Sequence, residues 1–132
     1  MYNEQGRMYN SRSKQKVFDI RERSFQFGVS IVHFVRNFPR GIAEIAISNQ
    51  LIRSGTSVGA NIEESQNSPT KKDFIHGLTI ALKEARETEY WLRIVSETKL
   101  NDNSETVALL TEANELVRIL TTIIKKTKAN AR

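Results

Sequence analysis

Residues 71–97 read KKDFIHGLTIALKEARETEYWLRIVSE, and the spacing of their apolar members decides the fold class. Phe74, Leu78, Ala81, Leu82, Ala85 and Leu92 recur every three or four positions, the period of an α-helix that buries one stripe. Thr70 stands just ahead of the run, with Asp73 three positions on. The hydroxyl is expected to cap free backbone N–H groups while the carboxylate reaches back. No proline interrupts the run, and at 1.5 Å per residue the helix should be about 40 Å long.

The same period extends in both directions. Upstream, a helix is expected from about Ile42 to Glu64, with Ile47, Leu51, Val58 and Ile62 inward and the polar loop Ser65–Pro69 after it. Before it, Phe27, Ile31, Phe34, Val35 and Phe38 share one face of a helix expected from about Phe18. That helix stops ahead of Pro39, because proline disfavours helical geometry in the residue before it. Downstream, Asn101–Ser104 offers N-capping residues. A fourth helix then carries Leu109, Leu110, Ala113, Leu116, Val117, Leu120, Ile123 and Ile124. It ends in Lys125, Lys126 and Lys128, which suit the negative end of the helix dipole. No segment alternates with a strand's period of two. Helices joined by short loops pack antiparallel, so the expected fold is an all-α, up-and-down four-helix bundle. Residues 1–16 read as a flexible basic arm, 17–128 as the bundle and 129–132 as a basic tail.

Composition bounds the function. The 132 residues suit one domain. There is no cysteine, which excludes disulfides and thiolate zinc sites. No run approaches the roughly 18 apolar residues of a membrane span, and the polar N-terminus is not a secretory signal. A cytoplasmic protein without membrane contact is expected. MYN occurs at Met1–Asn3 and again at Met8–Asn10, with no longer repeat. Net charge is +5, unevenly spread: +3 over residues 1–23, −3 over 24–117 and +5 over 118–132. An anionic partner should meet the ends first.

Chemistry is sparsely provided. His33 and His76 are the only histidines. Asp73-Phe-Ile-His76 has the spacing of a helical metal motif once, without the second copy that a di-iron bundle requires. No cofactor or metal is expected, and Glu63, Glu64, Glu84, Glu87 and Glu89 are read as ion-pairing residues. No serine has an identifiable base and orienting acid, and no phosphate loop precedes a helix. The chain is therefore read as a non-enzyme.

The stretch Gln50–Ser65, QLIRSGTSVGANIEES, followed by Lys72-Asp73-Phe74-Ile75 and by Ala81–Leu92, ALKEARETEYWL, resembles the four-helix-bundle protein family. These are also called the 23S rRNA intervening-sequence proteins, and the overall pattern covers about residues 20–126. The resemblance implies a left-handed bundle assembled as a homopentameric ring. It also implies kinship with accessory proteins of diversity-generating retroelements, which partner a reverse transcriptase and nucleic acid. It brings no established biochemical activity, and the arm at residues 1–16 lies outside it.

Four groups of residues invite a functional reading. Gly55 and Gly59, four apart, either admit a neighbouring backbone or serve a ligand; close packing is the simpler account. Arg53, Asn61, Glu64, Lys83, Glu84 and Glu87 form either a structural polar network or a cleft. Ile80, Trp91 and Ile94 make a second apolar stripe on the third helix, either a subunit interface or the margin of a wide buried arc. Arg7, Arg12, Lys14 and Lys16 of the arm, Lys71 and Lys72 of the loop, and Lys125, Lys126, Lys128 and Arg132 of the tail should gather at one end of an up-and-down bundle. There they could contact RNA or DNA through phosphates, with Tyr2 and Tyr9 available to stack on bases. The alternatives are solubilising tails and a scaffold for a protein partner.

Overall fold

The computed structural model describes residues 12–101 and 103–130, without the side chains of 12–19 and 103. It consists of four helices: α1 (Arg12–Arg36), α2 (Ile42–Ser65), α3 (Lys71–Thr98) and α4 (Asn103–Ala129). No strand occurs among the described residues. Each helix packs against its neighbours in chain order, and α1 closes on α4 along the thinnest seam.

Contacts between helix ends fix the antiparallel arrangement. Arg21, early in α1, pairs with Glu63, late in α2, at 2.7 Å. Asn101, ahead of α4, donates to the Phe34 carbonyl near the end of α1 at 3.2 Å. Lys71 at the start of α3 donates to the Asn130 carbonyl beyond α4 at 2.9 Å.

The expected stripes meet in one core. Phe27, Ile31, Phe34, Leu51, Val58, Ile62, Leu78, Leu92, Leu116 and Leu120 are almost fully buried, joined by Ile20 and Val95. Val35, Ile47, Phe74, Leu82, Leu110, Val117 and Ile123 flank it, half-buried. Thr70 caps α3 by accepting from the Asp73 N–H at 3.1 Å. Asp73 reaches back to the Thr70 hydroxyl, at 2.9 Å, rather than to the backbone.

The start of one helix differs from the sequence expectation. α1 starts at Arg12 rather than near Phe18, so residues 12–16, expected in the arm, continue the helix. The end of α3 carries no glycine. Lys99 instead adopts the left-handed conformation, with φ of 53°. The Leu100 N–H then reaches the Val95 carbonyl at 3.2 Å, in a Schellman-type closure that tucks Leu100 against the core.

The glycines of α2 bring α1 into close contact. A Cβ on Gly55 would stand 2.9 Å from Ile31 Cγ1, and one on Gly59 would stand 3.0 Å from the Ser24 carbonyl oxygen. The second obstacle is backbone and cannot rotate away. Gly28, on the facing surface of α1, has ordinary room: its nearest neighbour, Thr56 Cα, is at 3.6 Å. Gly59→Ala is therefore expected to destabilise the bundle by about 1–2 kcal/mol despite alanine's better helix propensity. Gly28→Ala should be neutral or stabilising. Urea denaturation of the two variants checks the contrast, and equal effects would contradict the close approach.

Candidate nucleic-acid interface

The basic end is assembled by topology. α1 begins, α2 ends, α3 begins and α4 ends on the same side of the bundle. Lys71 and Lys72 open α3, and Lys125, Lys126 and Lys128 lie in the closing turns of α4; all five are exposed. The bond from Lys71 Nζ to the Asn130 carbonyl ties the two groups together. Arg12, Lys14 and Lys16 lie on the opening turns of α1 at this end, but their side chains are outside the described ones. Arg7, Arg132, Tyr2 and Tyr9 lie outside the described residues altogether.

The six polar residues grouped from the sequence separate. Arg53 on α2 bonds Glu84 at 3.2 Å and also pairs with Glu87 and engages Gln50. Glu87 accepts in turn from the Trp91 indole N–H at 3.2 Å. Beneath this cluster the buried Thr88 hydroxyl meets the Ser54 hydroxyl at 2.9 Å, and Ser54 donates to the Gln50 carbonyl. Asn61 does not join, because its amide donates to the Ser57 carbonyl one turn back, at 2.8 Å. Glu64 and Lys83 are exposed and stand outside the cluster.

Ile80, Trp91 and Ile94 are each half-buried along the α2 side of α3, and Trp91 stacks edge-on against Tyr90 at 5.1 Å. More apolar surface is exposed elsewhere, where no residue was singled out from the sequence. Phe25, 61 % exposed, Val29 and Val32 of α1 face Thr56 and Ala60 of α2 across an outward groove, with Ile52 at 39 % exposure on the same face of α2. The signal was present as a second helical stripe at Phe25, Val29 and Val32, beside the core stripe.

On the opposite side of α1, Arg23 clamps the thin seam to α4. Its guanidinium bonds both carboxylate oxygens of Glu112, at 3.0 and 2.7 Å, and Glu115 at 2.7 Å. These hydrogen bonds, Glu112's first, raise the Arg23 pKa above its already high ordinary value. No helix among the described residues is long and apolar enough to cross a membrane.

Comparison with known proteins places these features in context. The family model of the 23S rRNA-intervening sequence protein matches residues 16–122. Among solved structures, the chain is similar to a crystal structure from Bacteroides thetaiotaomicron, described as a protein with unknown function from the S23 ribosomal protein family. The two are 37 % identical with a TM-score of 0.78, over 83 % of this chain and 98 % of that one. A search of curated proteins gave no match.

Trp91 is the single tryptophan, so its emission reports on the Arg53 cluster. Glu87→Ala is expected to shift that emission and to cost about 0.5–1.5 kcal/mol, since it removes a partner from both Arg53 and the indole. Glu64→Ala should change neither. Fluorescence-monitored denaturation checks both, and an unshifted Glu87→Ala spectrum would show that the carboxylate does not hold Trp91.

Proposed function

The chain belongs to the 23S rRNA-intervening sequence protein family, and from that premise we propose that it is a non-catalytic oligomeric bundle that binds RNA or DNA, without sequence readout, through its basic end. The observation that carries the reading is the convergence of Lys71, Lys72, Lys125, Lys126 and Lys128 on one end, linked by the Lys71–Asn130 bond. Exposed lysines gathered at one end contact phosphates as point charges, and the release of condensed counterions supplies the affinity. Nothing in that mechanism requires a base-specific contact. The bundle is left-handed and assembles in the cytoplasm as a homopentameric ring, which repeats the basic end on one face and adds a scaffolding role for a protein partner.

The exposed α1–α2 groove favours the self-assembly part of this reading, because an apolar stripe of that length beside a complete core needs a cover. A second reading, a protein-interaction scaffold with no nucleic-acid role, draws on the same groove.

Fluorescence anisotropy against structured RNA and duplex DNA over a salt series tests the basic end. Tight binding at low salt is expected, with a log–log salt slope that falls by about one for each lysine changed to alanine that had met a phosphate. Absence of binding at low salt would contradict the reading and favour the scaffold. Solution mass is expected at five times the 15.1 kDa chain mass, and Phe25→Glu is expected to reduce it. A monomeric wild-type protein would contradict the ring.

A further inference from the structure

The outward face of α3 has a division of charge that neither the core nor the basic end explains. Three carboxylates of α3, Glu84, Glu87 and Glu89, turn to its seams. Glu84 and Glu87 are engaged by Arg53 on the α2 side, and Glu89 accepts from Asn114 of α4 at 3.1 Å. The cations turn outward. At 100° per residue, Lys72, Lys83, Arg86 and Arg93 fall within a sector of roughly 80°, on the far side of the helix from the buried Ala85 and Leu92. All four are exposed, and none enters an ion pair among the described residues. Glu97, a turn beyond Arg93, is the acid that closes the stripe.

In the same sector stands Tyr90, 54 % exposed, four residues after Arg86 and three before Arg93. Trp91 braces its ring edge-on at 5.1 Å and 75°. An exposed, braced aromatic ring between two unpaired guanidinium groups suits a strand whose phosphates meet cations and whose unpaired base needs a flat partner. A duplex has no free base face to offer. From Lys72 to Arg93 the stripe runs roughly 32 Å, and it starts at the basic end.

We propose that the outward face of α3 is a track for single-stranded nucleic acid, with Lys83, Arg86 and Arg93 on phosphates and Tyr90 stacking on a base. The track rests on the nucleic-acid reading above and extends it from the end of the bundle along its side.

The test uses the full chain, a labelled oligouridylate of about 20 nucleotides and an RNA duplex of the same length, titrated over a salt series. Tyr90→Ala is expected to weaken single-strand binding by roughly fivefold or more, to leave duplex binding unchanged and to be rescued by Tyr90→Phe. The combined variant Lys83→Ala, Arg86→Ala, Arg93→Ala is expected to lower the single-strand salt slope by about two. All of these side chains are exposed, and circular dichroism melts confirm that the variants fold. Wild-type affinity and slope in both sets, with binding lost on substituting Lys71, Lys72, Lys125, Lys126 and Lys128, would overturn the track and leave the basic end standing. Equal weakening of duplex and strand by Tyr90→Ala would also overturn it. No binding by the wild-type chain would overturn both proposals.

Discussion

The close approach of α2 to α1 at Gly55 and Gly59 is the constraint on which the rest of the structure depends. With the Ser24 carbonyl 3.0 Å from where a Gly59 side chain would begin, the two backbones pack without a layer of side chains between them. That contact sets Ile31 against Gly55 and so fixes how far Phe27, Ile31 and Phe34 reach into the core. It also leaves the outer flank of the α1–α2 pair shallow. Small residues there cannot cover Phe25, Val29 and Val32, and the exposed groove results. A packing solution on the inside thus creates an apolar surface on the outside.

Ion pairs complete the seams and at the same time sort the surface. Glu63 answers Arg21, Glu84 and Glu87 answer Arg53, and Glu112 and Glu115 answer Arg23. Pairs this exposed add modest stability each, although the bidentate grip of Arg23 on Glu112 has the geometry of a stronger one. Their larger consequence is electrostatic. Five carboxylates of the body meet arginines at the seams, while exposed cations without an ion pair among the described residues gather at the end shared by α3 and α4 and along the outside of α3. The −3 charge of residues 24–117 therefore gives a poor guide to what a polyanion would meet.

Most of the fold was legible in the sequence because the core stripes are long and uninterrupted. Pro39, Thr70 and the Asn101–Ser104 segment mark boundaries by familiar chemistry. The start of α1 was not legible, since residues 12–17 contain neither an apolar period nor a cap that distinguishes helix from arm. Lys99 ends α3 in a conformation that glycine usually supplies, so composition gave no signal there. The site was legible in part. The basic end follows from helix order alone, whereas the grouping of Asn61, Glu64 and Lys83 with Arg53 failed for a local reason. Helical phase brings Asn61 to the α2–α3 side, but its amide turns back to its own backbone, which no residue spacing reveals. The second stripe on α1 was visible as a period. Only the packing shows that α2 leaves it uncovered.

The central claim is that phosphates meet this bundle at its lysine-rich end. Ultraviolet cross-linking of the full chain to RNA, with the linked peptides identified by mass spectrometry, tests it most directly. The account predicts cross-links in peptides from the start of α3 and the end of α4. Cross-links confined to the α1–α2 groove, or none under conditions where a known RNA-binding protein is labelled, would contradict it.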